Sequence, residues 1–162
     1  MDICIKFYVD TMIWIGAVDS KDKQYRVSNK ILKNLLPSTT NEESANQLFL
    51  SDYVFNELIN NITNKHKNRR VTNNEREKIM KRILEMIYNS RYVTILKITG
   101  SHIGTALNYM QSHPTTFSSL TDWLSLILMN ENEIPVIKTL DPDFKRITQL
   151  IPEFKQIQVC EF

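Results

Sequence analysis

Residues 117–144, FSSLTDWLSLILMNENEIPVIKTLDPDF, decide the fold that we expect for this chain. The apolar residues of the first half recur at helical spacing and predict a helix over residues 119–132. The run 134–140 is short, apolar and β-branched, which predicts a buried strand. Asp122 lies in the first turn of that helix, and Asp141 directly follows that strand. A helix that leads into a buried strand is the building unit of a parallel sheet.

The rest of the chain repeats this alternation of strands and helices. Four further strands are expected from apolar or alternating runs: 3–9, 47–51, 92–98 and 156–160. Amphipathic helices are expected between them, one of which begins at a capping box formed by Thr72 and Glu75. The pattern predicts the α/β class with a mostly parallel sheet, in a single domain over residues 1–162.

Composition excludes several classes of protein. The apolar share of 42% is ordinary, and no run approaches the ~20 apolar residues of a membrane span. The N-terminal residues carry no basic leader, so we expect a cytoplasmic protein with no membrane partner. Cys4 and Cys160 are expected to be buried free thiols. The three glycines form neither a dinucleotide-binding nor a P-loop motif.

Charge is unevenly distributed along the chain. The net charge is +2, but the basic segment 65–82 holds eight lysines and arginines against two acids, a net +6. The remaining residues therefore sum to −4. A basic segment on an acidic body favours a polyanionic partner such as RNA, although a merely solvated surface explains the charge equally well. The residues predicted to contact RNA are Lys65, Lys67, Arg69 and Arg70.

Four acids are predicted to meet at one edge of the sheet. Asp10 follows the first strand, Asp141 follows the strand 134–140, and Asp122 and Glu57 lie on helices that could reach the same crevice. Two unit charges 4 Å apart repel by about 4 kcal/mol at an effective dielectric near 20, so such acids either raise their pKa values or bind a cation. An all-carboxylate site suits Mg²⁺ or Mn²⁺, which activate water and stabilise a phosphoryl transition state.

Hydroxyl groups close in sequence to these acids are predicted to orient them. The candidates are Thr11, Ser119, Thr121 and Thr139. A structural interpretation stays open for each acid taken alone. An Asp in the first turn of a helix is most often a helix stabiliser, and Asp141-Pro142-Asp143 is most often a turn.

Three stretches resemble the PIN-domain ribonuclease family, especially its VapC-type toxins. They are FYVDTMIWIGAVD (7–19), LSDYVFNELIN (50–60) and SSLTDWLSLILMNENEIPVIKTLDPDF (118–144), in the family's order. Met12 departs from the small polar residue that the family often has there. The resemblance implies a PIN-like three-layer α/β/α sandwich, a homodimer and, for toxins, an antitoxin protein that inhibits the enzyme.

The resemblance also implies a metal-dependent endoribonuclease with Mg²⁺ or Mn²⁺ as cofactor. The catalytic and metal-binding set would be Asp10, Glu57, Asp122 and Asp141, with Asp143 as a fifth metal ligand. Two alternatives remain open: a PIN nuclease of RNA processing or quality control, and a non-catalytic PIN-like module that binds RNA or protein.

Overall fold

A five-stranded parallel sheet organises the chain. The computed structural model describes residues 5–36, 46–68, 72–116 and 118–160, with the side chains of 64–68 left out. In spatial order the strands are β3 (Val93–Leu96), β2 (Gln47–Ser51), β1 (Lys6–Val9), β4 (Val136–Lys138) and β5 (Gln158–Cys160), and each neighbouring pair is parallel.

Helices connect these strands and cover the sheet, which gives the α/β/α sandwich of the PIN-like fold. In chain order they are α1 (Thr11–Val18), α2 (Tyr25–Leu35), α3 (Asp52–Asn68), α4 (Asn73–Ile83), α5 (Gly100–Ser112), α6 (Leu120–Glu131) and α7 (Asp143–Leu150). A π-helical turn, Leu84–Tyr88, continues α4, and 3₁₀ turns lie at Pro114–Thr116 and Pro152–Phe154.

The central strands are buried on both faces. Consecutive residues of a strand point to opposite faces of the sheet. On β1, the consecutive residues Tyr8 and Val9 are both fully buried. On β2, Leu48 and Leu50 are fully buried and Phe49 between them is nearly so. This burial explains why β1 and β2 are continuous apolar runs rather than alternating ones.

The two tryptophans lie in the core. Trp14 on α1 and Trp123 on α6 are the largest fully buried side chains. Trp14 Nε1 donates a hydrogen bond to the carbonyl oxygen of Val9 at 3.1 Å, which fixes α1 against the end of β1. The Trp123 ring stacks on Tyr109 of α5, with ring centroids 5.4 Å apart.

The ends of several elements differ from the sequence prediction, and one of them lies beside the acids. The strand expected over 134–140 runs from Val136 to Lys138, so Asp141 lies three residues beyond its end rather than directly after it. The chain turns out of the sheet because Thr139 Oγ1 accepts a hydrogen bond from the backbone N–H of Asp141 at 2.9 Å. The strands expected over 92–98 and 156–160 are shorter, at Val93–Leu96 and Gln158–Cys160.

The predicted Thr72–Glu75 capping box is confirmed and begins α4. Ser51 Oγ caps α3 by accepting a hydrogen bond from Val54 N–H at 3.0 Å. Cys160 is a free thiol, as expected, but is only half-buried. Cys4 lies outside the described residues. No helix in the described ranges is long and apolar enough to cross a membrane.

Candidate active site

Asp10 lies where β1 ends and α1 begins. Its backbone N–H donates to the carbonyl oxygen of Lys138 at 3.0 Å, which ties the end of β1 to the end of β4. Its side chain is the N-cap of α1, with Oδ1 accepting a hydrogen bond from Thr11 N–H at 2.6 Å. Only 6% of the residue is exposed. A carboxyl group is therefore held in the interior at the carboxyl edge of the sheet.

Thr139 connects Asp10 to Asp141. Its hydroxyl donates to Asp10 Oδ2 at 2.8 Å and accepts from Asp141 N–H at 2.9 Å. Asp141 Oδ1 in turn accepts from Asp143 N–H at 2.9 Å, a side-chain turn that starts α7. The predicted role of Thr139 as an orienting hydroxyl matches these contacts. The Asp141-Pro142-Asp143 stretch is both a turn and the carrier of a carboxylate at this edge.

Glu57 reaches the same edge from α3. Thr11 Oγ1 donates a hydrogen bond to Glu57 Oε2 at 2.8 Å, across 46 residues of sequence. Thr11 thus lies between two acids, since its N–H binds Asp10 and its hydroxyl binds Glu57. The adjacent Met12 is 41% exposed, so an apolar side chain borders the site where the family often has a small polar one.

Asp122 is held by a capping box at the start of α6. Its Oδ2 accepts a hydrogen bond from Ser119 N–H at 2.7 Å, and its own N–H donates to Ser119 Oγ at 3.2 Å. Asp122 therefore does stabilise the start of its helix, as the structural interpretation of a first-turn Asp holds. Capping alone does not account for the electrostatics of this carboxyl group.

The pKa values of Asp10 and Asp122 move in the direction opposite to that expected from capping. A helix N-terminus and its hydrogen bonds stabilise the ionised form and lower the pKa. Burial raises the pKa of Asp10 to about 7, and the charges of Asp122 and Asp141 add to the rise against the Thr139 hydrogen bond. Burial likewise raises the pKa of Asp122 to about 6, with contributions from Asp141 and Glu57. The four acids therefore act on one another through one poorly solvated crevice.

The donor set fits a hard divalent cation. The main influences on the two raised pKa values are burial, the neighbouring carboxylates and their hydrogen-bond donors, so negative charge is concentrated in a poorly solvated crevice. Hydrogen bonds engage one carboxylate oxygen each of Glu57, Asp122 and Asp141, which leaves the other oxygen of each without a partner among the described residues. Oxygen donors with net negative charge are what Mg²⁺ and Mn²⁺ prefer.

The side chains are not yet arranged around such an ion. No group of three His, Cys, Asp or Glu residues within the described ranges has a geometry that would hold a metal as it stands. Each carboxylate is instead turned toward a neutral N–H or hydroxyl donor of its own.

The remaining predicted residues differ in how well they match their expected roles. Asp143 Oδ1 pairs with Arg146 Nη1 at 3.1 Å, so a cation already engages the proposed fifth ligand. The Thr121 hydroxyl makes no hydrogen bond to a described residue, and its orienting role stays a prediction. Thr121 precedes Asp122 by one position and is rotated about 100° from it around the helix axis. The four cations predicted to contact RNA lie outside the residues with described side chains.

Sequence reasoning missed a buried polar group beside the acids. Tyr8 precedes Asp10 by two residues and is fully buried, and its hydroxyl contacts Ser51 and Ser125. Burial raises the pKa of Tyr8 to about 12, so the hydroxyl keeps its proton. A tyrosine in a buried apolar strand and a serine on a buried helix face are the only local signals, because a buried hydroxyl requires a partner.

A family model for the PIN domain matches residues 7–150. The chain belongs to the PIN domain family. PIN proteins are nucleases, and the four acids lie within the matched range, together with β2, β3, β4 and nearly all of β1. The resemblance seen in the three sequence stretches is thereby confirmed at the level of the family. A search of the curated proteins finds no significant match.

Two solved PIN structures resemble this one in fold. A Mycobacterium tuberculosis VapC20, described as a toxin that cleaves the sarcin–ricin loop, aligns at a TM-score of 0.65 and 16% identity, over 87% of this chain and 94% of that chain. VapBC2 from Rickettsia felis, solved bound to a DNA fragment from its promoter, aligns at a TM-score of 0.57 and 12% identity, over 97% of this chain and 98% of that chain. At these identities the likeness concerns the fold.

Proposed function

We propose that this PIN protein is a metal-dependent endoribonuclease that hydrolyses RNA phosphodiester bonds at the crevice formed by Asp10, Glu57, Asp122 and Asp141. It would act as a single domain in the cytoplasm. The observation that carries the proposal is the burial of Asp10 and Asp122 beside further acids at one edge of the sheet. Burial raises the pKa values of both carboxyl groups, and the charges of the neighbouring acids add to the rise. Burying several carboxyl groups together without a counterion is unfavourable, and a bound divalent cation would remove that cost.

Asp10, Asp122 and Asp141 would hold Mg²⁺ or Mn²⁺, and Glu57 would bind the ion or its water. When bound, the ion supplies positive charge to the phosphoryl group and lowers the pKa of a water molecule. Thr139 keeps the Asp10 and Asp141 segments in register, and Thr11 keeps Glu57 directed toward Asp10. The cations of the basic segment would contact phosphates beyond the scissile bond and hold the strand in place.

RNA cleavage with matched variants tests the proposal. Labelled RNAs, including structured ribosomal fragments and unstructured strands, are incubated with the protein in Mn²⁺, Mg²⁺ or EDTA. Asp122→Asn serves as the site variant because asparagine can keep the capping bond from Ser119 N–H while losing the charge. Internal cuts that require metal and vanish in the variant support the nuclease. Equal cutting by both proteins, or cutting in EDTA, contradicts it.

One observation favours a second function, a PIN-like module that binds RNA or protein without cutting. The described acids do not form a ready metal site, and each has its own hydrogen-bond donor. In that case the folded wild-type protein would bind the labelled RNAs but cut none of them in any metal. The same RNA panel therefore separates the two functions.

We further propose that the nuclease is the toxin of a toxin–antitoxin pair and works as a homodimer. The support is the likeness to a VapC toxin and to a VapBC2 protein, in the second of which toxin and antitoxin are named together. Expression of the wild-type protein would then stop growth, and expression of Asp122→Asn would not. Growth unaffected by an active enzyme would favour a nuclease of RNA processing. Light scattering of the purified protein gives the oligomeric state.

A further inference from the structure

The hydroxyl of Tyr8 lies at the junction of β1, β2 and α6, which carry or lead into the segments that hold the acids. Tyr8 belongs to β1, two residues before Asp10, and no part of it is exposed. The backbone N–H of Ser51, the last residue of β2, donates to Tyr8 Oη at 3.0 Å. Ser125 Oγ of α6 lies 3.0 Å from the same oxygen. One phenolic oxygen thus joins β1, β2 and α6.

Hydrogen bonds run from Ser51 through Tyr8 Oη to Ser125 and Thr121. Ser125 Oγ donates to Tyr8 Oη at 3.0 Å and also lies 2.8 Å from the carbonyl oxygen of Thr121, one turn earlier on α6. Tyr8 Oη thus accepts from the backbone N–H of Ser51 and from the hydroxyl of Ser125. A low-dielectric interior requires such partners for buried polar groups.

Each end of this series of hydrogen bonds reaches a segment that holds an acid. Ser51 also caps α3, because its Oγ accepts the N–H of Val54, and α3 carries Glu57 one turn later. Ser125 lies three residues after Asp122 on α6, and its hydroxyl contacts the carbonyl oxygen of Thr121, the residue before Asp122. Asp10 follows Tyr8 on the backbone of β1. The positions of three of the four acids are therefore coupled through Tyr8 Oη.

We infer that Tyr8 is a positioning residue of the nuclease site, whose hydroxyl sets the spacing of Asp10, Glu57 and Asp122 by joining β1, β2 and α6. The inference rests on the proposed function. Tyr8 touches neither substrate nor metal and acts through Ser51 and Ser125. Like charges push Asp10, Glu57 and Asp122 apart, and the hydrogen bonds that join β1, β2 and α6 oppose that separation.

Tyr8→Phe tests the inference because it removes one oxygen atom and keeps the ring that fills the core. The expected result is a fall in kcat and a rise in the Mn²⁺ concentration for half-maximal rate, each by about 10- to 100-fold, as for other groups that orient metal ligands. The KM for RNA should stay within about twofold, because phosphate contacts away from the acids remain. Ser125→Ala, which cuts only the branch to α6, should shift the same two quantities less.

Ile31→Val is the matched control for stability. Ile31 is a buried residue of α2, and losing its methylene costs about 0.5–1.5 kcal/mol, which is close to the cost of one hydrogen bond. All rates are measured well below the melting temperatures of the variants. If Tyr8→Phe melts lower than wild type but matches Ile31→Val in kcat and in Mn²⁺ requirement, Tyr8 is only structural and the inference is overturned.

A separate readout distinguishes failure of this inference from failure of the proposed function. The rise in melting temperature with Mn²⁺ reports binding without any RNA. If wild-type protein cuts RNA, and Tyr8→Phe has the same kcat and Mn²⁺ requirement, only the inference about Tyr8 is overturned. Wild-type protein that binds Mn²⁺ but cuts nothing overturns the nuclease, and the inference then stands or falls on whether Tyr8→Phe weakens Mn²⁺ binding more than Ile31→Val does. Absence of Mn²⁺ binding by folded wild type overturns both.

Discussion

Replacing Asp10 with asparagine should stabilise the metal-free protein at high pH. The carboxyl group is nearly fully buried, and its folded-state pKa of about 7 lies above the ordinary 3.8. The folded protein therefore binds this proton more tightly than the unfolded chain does. Below about pH 3.8 the carboxyl group costs no stability; the cost grows as pH rises and becomes constant once the folded form also ionises, above about pH 7.

The magnitude follows from the two pKa values. One pKa unit corresponds to about 1.4 kcal/mol. At about pH 5, roughly 1.2 pH units above the unfolded pKa, ionisation stabilises the unfolded state by roughly 1.7 kcal/mol while the folded carboxyl group stays protonated. At about pH 8 both states are ionised, and the cost to the folded state reaches the full pKa difference of about 3.2, which is roughly 4 kcal/mol. The free energy of unfolding of Asp10→Asn, relative to wild type, should therefore increase by about 2–3 kcal/mol from pH 5 to pH 8.

Urea unfolding of both proteins in EDTA at the two pH values measures this change. Any packing or hydrogen-bond loss in the asparagine variant is present at both pH values and cancels in the comparison. Addition of Mn²⁺ at pH 8 should then stabilise wild type and not the variant. A stability difference that is equal at pH 5 and pH 8, or that favours wild type at pH 8, would refute the reasoning that Asp10 is a buried, uncompensated carboxyl group.

Three further predictions concern packing, orientation and RNA contacts. Gly16→Ala should lower the free energy of unfolding by about 1–3 kcal/mol in urea titrations, because its Cβ would overlap the side chain of Ser28. Gly104→Ala, where nothing lies within 4 Å of the added Cβ, should raise the free energy of unfolding by about 0.5–1 kcal/mol. The reverse order would contradict the helix packing. Thr139→Val should lower the free energy of unfolding by about 1–3 kcal/mol and slow cleavage, because Asp10 loses a buried hydrogen-bond donor. An unchanged melting temperature and cleavage rate would exclude an orienting role for Thr139. Alanine at the four proposed RNA-contacting cations should reduce the slope of log Kd against log salt by up to about 3, and an unchanged slope would show that these cations face solvent.

Local sequence signals were sufficient for most of the fold. The apolar runs of β1 and β2 have no alternation because both faces of the sheet are covered, and that pattern is visible in sequence. The acids could be placed for a related reason. Asp10 directly follows an unmistakable strand, and the carboxyl ends of parallel strands share one edge. Their common crevice follows from topology rather than from any contact between neighbouring residues.

The parts that sequence could not predict depend on contacts between distant residues. Ser125 and Tyr8 are 117 positions apart, and neither a strand tyrosine nor a helix serine indicates its partner. The end of β4 combines a local and a distant contact. Thr139 has strong β propensity, yet its hydroxyl accepts the N–H of Asp141, two residues on, and donates to Asp10, 129 positions away. The distant partner of each hydroxyl has no local signal in the sequence.

Direct Mn²⁺ binding tests the central claim, that these four carboxylates form a cation site. Binding is measured by titration calorimetry or electron paramagnetic resonance at neutral pH, and it does not depend on finding the right RNA. Wild-type protein should bind Mn²⁺ saturably, and Asp122→Asn should bind at least about tenfold more weakly while retaining its fold. Equal binding by the two proteins, or no binding by folded wild type, would contradict the account.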